Sequence, residues 1–377
     1  MSDPIEAALK AVRRRIASPA WADDLSLPAP IGTELDGLAD EIHPHSWSPE
    51  RQATLAALRT IRPRQKIAVL SMASNEAPYL PEWIAHYRAI GADHLFIYTN
   101  ANHDGTDDLL RWYARHAPVT PIFTTATPGI NIQAKNYEHA LFLLPELRLF
   151  EWIIMADADE FLIPGPQYHH HLPTLLAAAP ADTDTLLFPW RWRLWDRAFE
   201  RQPGLLAERY PHAGRSHLDK FVTRLRHVNS LRDVHAPRLD PGGIFRDTEF
   251  ALVPPEKIWS DTAKTDTGGW MDHYWGKSFE EFLIKKRRGE ALALETLFQR
   301  AYDDYFTWTG PATPANHSPT PEPILTGIQR EMARMAAKPG YRELMEKIET
   351  TYTTYAQSVR NDPTLRELHA DYLRRTP

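Results

Sequence analysis

Short apolar runs alternate with helical repeats through the middle of the chain. Four runs are apolar along most of their length, which is typical of strands; they are KIAVLSMA (66–73), HLFIYTN (94–100), VTPIFTT (119–125) and EWIIMA (151–156). The segments between them carry apolar residues at helical spacing, as in Leu80, Trp83, Ile84 and Tyr87, with Gly91 placed to close that helix. Strands that alternate with helices of this length predict right-handed crossovers and a parallel sheet.

The regions before and after this alternation have other patterns. Residues 1–62 are rich in proline and predict an extension with one or two short helices. From Leu186 the chain changes to short strands and loops rich in Trp, Arg and His, and from Phe279 it becomes helical, with breaks at KPGY and RNDP. We therefore expect an N-terminal extension (1–62), an α/β domain (63–290) and a helical C-terminal region (291–377).

Composition and charge narrow the classes of function. The 377 residues are enough for one sizeable α/β domain with additions. The formal net charge of −6 gives no general footprint for nucleic acid, so we expect no nucleic-acid partner. The chain has no cysteine, which excludes disulfides, thiolate zinc sites and a cysteine nucleophile, and which fits a reducing compartment.

The start of the chain lacks the apolar core of a signal peptide, and no stretch approaches the roughly 20 apolar residues that span a bilayer. These features predict a cytoplasmic protein. The segment from Ile5 to Ile16 is basic and amphipathic, and two interpretations stay open for it. It is either a solvated first helix or a helix that lies on the inner face of the membrane and makes the protein peripheral.

Three acids follow the fourth apolar run directly. In extended chain, Asp157 and Asp159 would share one face while Ala158 turns toward the core. Two carboxylates on one side suit a hard divalent cation, Mg²⁺ or Mn²⁺, with phosphates and water completing its sphere. The carboxyl ends of parallel strands are also where α/β proteins bind ligands. The alternative is a surface strand end, or a helix cap, where the acids are solvated.

The first apolar run is not followed by a phosphate-binding loop. The segment SMASNEAPYL contains no glycine, which argues against a dinucleotide site and against a P-loop. A nucleotide would have to be held by side chains at the strand ends instead. The candidates are Asn75 and Glu76 after the first strand and Asn100 and Asp104 after the second.

Four separated motifs carry a family resemblance; they are residues 74–113, NIQAKNYEHAL (131–141), WIIMADADEFLIP (152–164) and MDHYWGKSFEEFLIKKRRG (271–289). In this order they resemble the family-2-type glycosyltransferases of the GT-A fold, especially the branch near family 92. The resemblance implies a GT-A, Rossmann-like sheet with helices on both faces and a helical extension. It also implies a Mn²⁺- or Mg²⁺-dependent enzyme of polysaccharide biosynthesis. Such an enzyme would transfer a sugar from a nucleoside diphosphate sugar to a glycan or lipid-linked acceptor, with inversion at the anomeric carbon. A UDP-sugar is the favoured donor.

The resemblance also assigns roles to individual residues. It makes Asn75 and Glu76 nucleotide contacts, Asp104 a base or ribose contact, and Asp157 with Asp159 the nucleotide-ribose and metal pair. In that arrangement Glu160 either joins the pair or supports it from behind.

The same resemblance extends to a helix and to two histidines. Gln133 and Asn136 would border the donor pocket, with a polar helix face as the alternative. His235 and His273 match places where the family has a histidine, and one of them would complete the metal sphere, although a lone histidine is more often structural. The histidines at 169–171 are expected in a loop.

Sugar transfer needs a cation at the leaving phosphate and a base at the acceptor hydroxyl. The cation candidates are Lys220, Lys277 and the run from Lys285 to Arg288, for which a solvated helix face is the alternative. The base candidates are Asp233 and Asp196. Three aromatic side chains in the same region could stack on a sugar or belong to the core; they are Trp190, Trp192 and Trp195.

Two other classes of function use the same acids. A metal-dependent phosphohydrolase acting on nucleotide-sugars would also have paired aspartates, although it would usually need further ligands for a second ion. A non-catalytic nucleotide-sugar-binding protein could keep the fold after losing activity.

Overall fold

The structure is a computed structural model and describes residues 3–18, 20–23, 28–40, 47–194, 197–233, 235–258, 265–287 and 316–375. Within these residues, ten strands form one mixed sheet and two more form a separate hairpin, β8–β9. The strands are β1 (Gln65–Ala73), β2 (His94–Thr99), β3 (Val119–Phe123), β4 (Phe150–Met155), β5 (Glu160–Pro164), β6 (Thr185–Arg193), β7 (His212–Thr223), β8 (Val228–Asp233), β9 (Ala236–Leu239), β10 (Phe245–Arg246), β11 (Gly269–His273) and β12 (Asn316–His317).

The helices begin and end near the breakers that the sequence indicates. They are α1 (Pro4–Ile16), α2 (Pro49–Leu58), α3 (Leu80–Ala89), α4 (Thr106–His116), α5 (Ile132–Leu143), α6 (Leu172–Ala178), α7 (Leu206–Arg209), α8 (Phe279–Arg287), α9 (Glu322–Ala336), α10 (Tyr341–Arg360) and α11 (Pro363–Arg375). Short 3₁₀ helices cover Trp21–Asp23, Thr33–Asp40, Pro145–Leu149, Pro166–Tyr168 and Pro255–Lys257.

The sheet has a parallel half and a mixed half. The order β3-β2-β1-β4 is parallel throughout, as the alternation of strands and helices predicts. Beyond β4 the order continues β7-β6-β11-β5, in which β7 runs antiparallel to both neighbours and β5 runs antiparallel to β11. The parallel half brings the loops after β1, β2 and β4 to one edge of the sheet, which we call the carboxyl edge.

Alternate residues of β1 pack into different cores. Ile67 and Val69 lie in a core with α3 and α4, whereas Ala68 and Leu70 lie in a core with α1, α2 and α5. This division follows from the two-residue period of a strand, since successive side chains point to opposite faces. Helices therefore cover both faces of the sheet, and the predicted α/β sheet with helices on both faces is confirmed.

The N-terminal helix packs its apolar face on the protein. Ile5, Leu9 and Val12 of α1 are buried in the same core as α2 and α5. Lys10, Arg14 and Arg15 on its other side are exposed, as expected of a solvated first helix, while peripheral membrane association stays a prediction. Every helix within the described part of the chain is too short or too polar to span a bilayer.

The C-terminal helices pack back onto the α/β core. Gly327 of α9 lies so close to Ala89 of α3 that a Cβ at position 327 would approach the Ala89 Cβ to 2.8 Å. Gly340 adopts a φ of 77° in the break between α9 and α10, a backbone conformation that glycine accepts without strain. The second break, at Asn361, separates α10 from α11. The predicted helix breaks are confirmed, while the two predicted boundaries between the three regions stay predictions.

Candidate active site

The acids after β4 lie in a tight turn. The backbone N–H of Glu160 donates to the Asp157 carbonyl at 3.0 Å, and the Asp157 N–H donates to Glu160 Oε2 at 2.8 Å. The predicted extended conformation is therefore wrong, because the chain must reverse here for Glu160 to begin β5 beside β11. As a result, Asp157 and Asp159 have different partners.

Asp157 pairs with a buried lysine from the neighbouring strand. The antiparallel register places Phe221 of β7 opposite Met155, so Lys220 lies beside the turn that follows β4. Its Nζ is 3.0 Å from Asp157 Oδ2 and 3.2 Å from Glu160 Oε2. Burial alone would lower the pKa of Lys220, but Asp157 and Glu160 outweigh burial and raise it above its usual value. Lys220 thus neutralises the turn.

Glu160 lies behind the turn, fully buried. Burial raises its pKa to about 8, Asp157 adds to the rise, and Lys220 opposes it. Its Oε1 has no hydrogen-bond partner within the described residues. The carboxyl group therefore holds a proton near neutral pH and supports Asp157 through its backbone N–H, which matches the supporting role left open from the sequence.

Asp159 pairs with a lysine and a histidine from beyond the sheet. Lys285 Nζ on α8 is 2.5 Å from Oδ2, and His273 Nε2 at the end of β11 is 3.5 Å from Oδ1. Burial would raise the pKa of Asp159, but Lys285 and then His273 outweigh it and hold the pKa well below its usual range. The carboxylate is therefore charged, although Asp159 is only 4% exposed.

Two histidines and two tryptophans pack against one another next to the acids. The His273 ring is stacked on Trp192 at 4.9 Å and lies 4.4 Å from Trp190, whose other neighbour, His235, is 4.9 Å away. Burial, followed by the charge of Lys220, lowers the pKa of His235 to about 4. Burial also lowers the pKa of His273. Both imidazoles are therefore neutral, the form that binds metals.

The tryptophans belong to the core. Trp190 is 6% exposed and Trp192 is 8% exposed, and both pack in the larger apolar core. Of the two alternatives left open by the sequence, the structure supports the core position for both residues, because histidines and core residues cover their rings. Trp195 lies outside the described residues.

The loops after β1 and β2 are tied together by side chains. The Asn75 N–H donates to Asn102 Oδ1 at 2.7 Å, while Asn75 Oδ1 accepts from the His103 N–H at 2.8 Å. Asp104 accepts from the Ala77 N–H at 3.0 Å with one oxygen and from the backbone and hydroxyl of Thr106 with the other. Asn75 and Asp104 thus build the loop edge, and their predicted nucleotide contacts stay predictions.

The other predicted nucleotide contacts lie around this edge. Glu76 is buried and acts electrostatically on Lys277 and Lys285. Asn100 is half-buried, and its carbonyl accepts from Ser74 Oγ at 3.1 Å.

The two residues predicted on α5 have separate environments. Gln133 Nε2 lies 3.5 Å from Asp157 Oδ1, so α5 does border the acids. Asn136 is buried and accepts from Thr124 Oγ1 at 2.9 Å, which rules out a solvated helix face at that position.

The remaining candidates are a base and several cations. Asp233 is exposed at the end of β8, and its Oδ1 accepts from the His235 N–H at 2.7 Å. Lys277 is buried, with its ammonium 4.5 Å from the centre of the Tyr79 ring. Asp196, Arg288 and the side chains of Lys286 and Arg287 lie outside the described residues. Histidines 169–171 form the predicted loop before α6.

Sequence reasoning missed two kinds of residue. Asn102 ties the two loops together, and the polar run NANHDG was the signal that could have pointed to it. Trp83 Nε1 and the Tyr87 hydroxyl both donate to the Glu160 carbonyl, at 2.9 and 3.0 Å, and so support the acid turn from α3. Their helical spacing indicated only a core position.

The side chains of the site include the types of atom that bind a divalent cation. Asp157 and Asp159 offer carboxylate oxygens, and His273 offers a neutral imidazole whose Nδ1 has no hydrogen-bond partner within the described residues. The described residues contain no group of three acids or histidines arranged as a metal cluster, because ammonium groups lie against the two aspartates. A cation would therefore compete with Lys285 for Asp159.

Comparison with known proteins identifies the central region. Residues 67–250 match the model of glycosyltransferase family 92. The matched region includes the strands from β2 to β10 and the acids that follow β4. A family 92 protein of Oryza sativa subsp. japonica is 30% identical over 107 residues, which is 28% of this chain and 18% of that protein. One of Ricinus communis is 27% identical over 120 residues, 31% of this chain and 19% of that protein.

The match of residues 67–250 to the family 92 model agrees with the family resemblance found in the sequence. The chain spans less than a fifth of the length of either curated relative. Among solved structures, TarS of S. aureus is 12% identical with a TM-score of 0.29, over 78% of this chain and 91% of that one. Glucosyl-3-phosphoglycerate synthase from Mycobacterium tuberculosis, in complex with Mn²⁺ and UDP, is 17% identical with a TM-score of 0.26, over 48% and 63%. At such TM-scores these structures carry no argument about ligands.

Proposed function

We propose that this protein is a metal-dependent glycosyltransferase that uses a nucleoside diphosphate sugar, with UDP as the favoured nucleotide, and transfers the sugar to a hydroxyl of a glycan or lipid-linked acceptor with inversion. One observation carries the proposal. The region that matches the family 92 model has a turn with two aspartates at the carboxyl edge of its sheet, next to lysines and histidines.

The donor would bind along the carboxyl edge. Asp157 is the more exposed aspartate, with 30% of its side chain accessible, so it can meet a ribose or a phosphate. Lys285 is 27% exposed and lies at the mouth of the site, whereas Lys220 is fully buried. We therefore assign the leaving phosphate to Lys285 and give Lys220 the role of holding the turn, which revises the role proposed for Lys220 from the sequence.

A divalent ion would be held by Asp157, Asp159 and His273, and it would supply charge stabilisation for the leaving diphosphate. His235 keeps its predicted place as an alternative ligand. It lies on the other side of Trp190, where its Nδ1–H donates to the Asp219 carbonyl at 3.0 Å.

Asp233 is the base that we propose for the acceptor hydroxyl. It is exposed, and it lies two residues from His235, whose ring reaches Trp190 beside the acids. A carboxylate that is exposed on that side is accessible to an acceptor hydroxyl and can accept its proton. Asp233→Asn should then lower kcat at least a hundredfold while leaving donor binding unchanged.

The test is a thermal-shift panel of nucleoside diphosphates and their sugars, with and without Mn²⁺. We expect UDP or its sugar, together with Mn²⁺, to raise the Tm of the wild type by several degrees. Asp159→Asn should lose this shift relative to its own unliganded Tm. The matched control is Asp108→Asn, because Asp108 is an exposed acid that pairs with Lys347 on the surface.

Each outcome decides between the three functions considered. Sugar transfer that depends on an added acceptor supports the transferase. Hydrolysis of the donor at the same rate without acceptor would favour the phosphohydrolase. Donor binding with neither transfer nor hydrolysis would favour the non-catalytic protein, and no binding of any nucleotide with Mn²⁺ would overturn the proposal.

A further inference from the structure

A second charged cavity lies at the end of the sheet opposite the carboxyl edge. It has a volume of about 510 Å³ and is bordered by the start of β4 and by the segments that precede β1 and follow β7. Because β4 rises about 3.3 Å per residue, its six residues separate this cavity from the acid turn by about 20 Å. We call it the arginine cavity.

The lining of the cavity is strongly cationic. Within the described residues, a single acid, Glu151, lines it together with five arginines; they are Arg59, Arg62, Arg148, Arg224 and Arg226. Glu151 is already shared between Lys66, at 2.9 Å, and Arg224, at 3.2 Å. Outside the lining, Asp240 pairs with Arg59 at 2.7 Å and Asp184 pairs with Arg226 at 2.8 Å. The excess positive charge of the cavity therefore rests on Arg62 and Arg148.

Arg148 is the most unusual of these residues because it is a buried cation without an acid. It is 5% exposed, and no carboxylate among the described residues lies within ion-pair distance of it. Its guanidinium donates instead to the Leu225 carbonyl at 2.6 Å and to the Leu141 carbonyl at 3.3 Å. Burial, followed by the charge of Arg59, lowers its pKa to about 9, so it stays charged at neutral pH.

The neighbouring arginines are held in place by contacts that leave some of their N–H groups without an acceptor among the described residues. Arg224 lies over the Trp152 ring at 4.1 Å, and its head donates to the Ala181 and Thr183 carbonyls at 2.9 Å. The Nε atoms of Arg224 and Arg59 are buried and have no hydrogen-bond partner in the described part of the chain. Arg62 at the rim is exposed and makes no ion pair with a described residue.

We propose that the arginine cavity is a binding site for a phosphate-bearing anion. Guanidinium groups match the oxygens of phosphate through paired N–H donors, and a fixed guanidinium loses little freedom when it binds. An anion would also supply the negative charge that Arg148 lacks, because a buried cation without an acid is costly. The chemistry is shared by two sources, a free phosphate or diphosphate and the headgroup of an anionic phospholipid.

The first arm of the test uses inorganic pyrophosphate and calorimetry on the full chain, in EDTA so that no metal bridges the anion to the acid turn. The wild type should bind. Arg62→Glu and Arg226→Ala should each weaken binding at least tenfold, whereas Asp159→Asn should leave it unchanged. Arg342→Glu is the matched control, because Arg342 is 80% exposed on α10, away from the cavity.

The second arm uses sedimentation with vesicles of phosphatidylcholine alone or of equal parts phosphatidylcholine and phosphatidylglycerol. Binding to the anionic vesicles that Arg62→Glu abolishes and Arg342→Glu preserves would identify a headgroup as the source. Pyrophosphate binding with the same dependence, without vesicle binding, would identify a soluble phosphate. If neither probe binds, or if both arginine variants at 62 and 342 weaken binding equally, the proposal is overturned. The Tm of each variant checks that it is folded.

Discussion

The two ends of the central sheet hold their buried charges in opposite ways. At the carboxyl edge, the buried ammonium of Lys220 lies 3.0 Å from Asp157, and Asp159 has Lys285 at 2.5 Å. At the arginine cavity, the guanidinium of Arg148 donates to two carbonyl oxygens and has no carboxylate partner in the described part of the chain. The first arrangement is closed, because each charge has its counterion within the chain. The second is open, and it gains most from a counterion supplied from outside.

This difference has consequences for stability. Removing one member of a closed buried pair strands the other charge, which typically costs about 3–5 kcal/mol. Removing a buried cation that has no acid also removes its desolvation cost, so the loss should be small. Substituting one charged residue at each end of the sheet therefore tests this contrast.

Lys220→Met should lower the free energy of unfolding by about 3–5 kcal/mol, because it leaves the Asp157 carboxylate without a cation beside the buried Glu160. Chemical denaturation measures the loss. Lys66→Met is the control, since Lys66 is 75% exposed and pairs with Glu151 on the surface, where a salt bridge contributes less than about 1 kcal/mol. Equal losses in the two variants would contradict a closed pair at the acid turn.

Helix α5 runs between the acid turn and the arginine cavity, and a histidine on it should make the stability of the protein fall in acid. On α5, Gln133 faces Asp157, and the Leu141 carbonyl accepts from Arg148. Between them, His139 Nδ1 lies 2.8 Å from the Tyr98 hydroxyl, and burial, followed by the charge of Lys135, lowers its pKa to about 3. The folded state therefore keeps His139 neutral while the unfolded chain takes up a proton below its usual pKa, 6.5.

Stability from His139 is consequently present above pH 6.5 and is lost as the pH falls toward 3, at up to about 1.4 kcal/mol per pH unit. Unfolding measured from pH 7 to pH 4 should show a shallower decline in His139→Gln. His317→Gln, at an exposed position on β12, should decline as steeply as the wild type. If the stability of His139→Gln falls with pH as steeply as that of the wild type, the imidazole of His139 is not neutral and buried in the folded state.

Lys285→Met should cost roughly 1–2 kcal/mol, because Asp159 keeps His273 as a partner and Lys285 is partly exposed. It should also strengthen Mn²⁺ binding severalfold in the absence of nucleotide, since the competing ammonium is gone; calorimetry measures this. Lys347→Met removes a surface lysine that pairs with Asp108 and should leave Mn²⁺ binding unchanged. Weaker Mn²⁺ binding in Lys285→Met would show that the ion does not compete with this lysine.

Arg148→Met should have the smallest effect, within about 1 kcal/mol of the wild type, since two lost carbonyl bonds offset the relief of a buried charge. The matched control is Arg51→Met. Arg51 is an equally buried arginine but pairs with the carboxylate of Glu138, so its loss should cost about 3–5 kcal/mol. Equal destabilisation of the two arginine variants would contradict the absence of a counterion for Arg148.

The sequence by itself determined the alternation of strands and helices and the position of the acids. Apolar runs, helical spacing and breakers such as Gly340 act over a few residues, so their pattern can be interpreted without the fold. Because Asp157 and Asp159 directly follow an apolar strand of the parallel half, the sequence also placed them at the carboxyl edge. Their extended conformation was predicted wrongly, because the turn is required by the pairing of β5 with β11, which is far away in the chain.

Only the tertiary structure decided how the charges are partnered. Lys220 is 63 residues from Asp157 and Lys285 is 126 residues from Asp159, and no local pattern specifies such pairs. The same is true of the arginine cavity, whose lining comes from separate segments that look like ordinary basic surface in the sequence. Whether a charge is closed by its own chain or left for a ligand depends on what lies within a few ångströms after folding, because electrostatic interaction falls with distance and grows with burial.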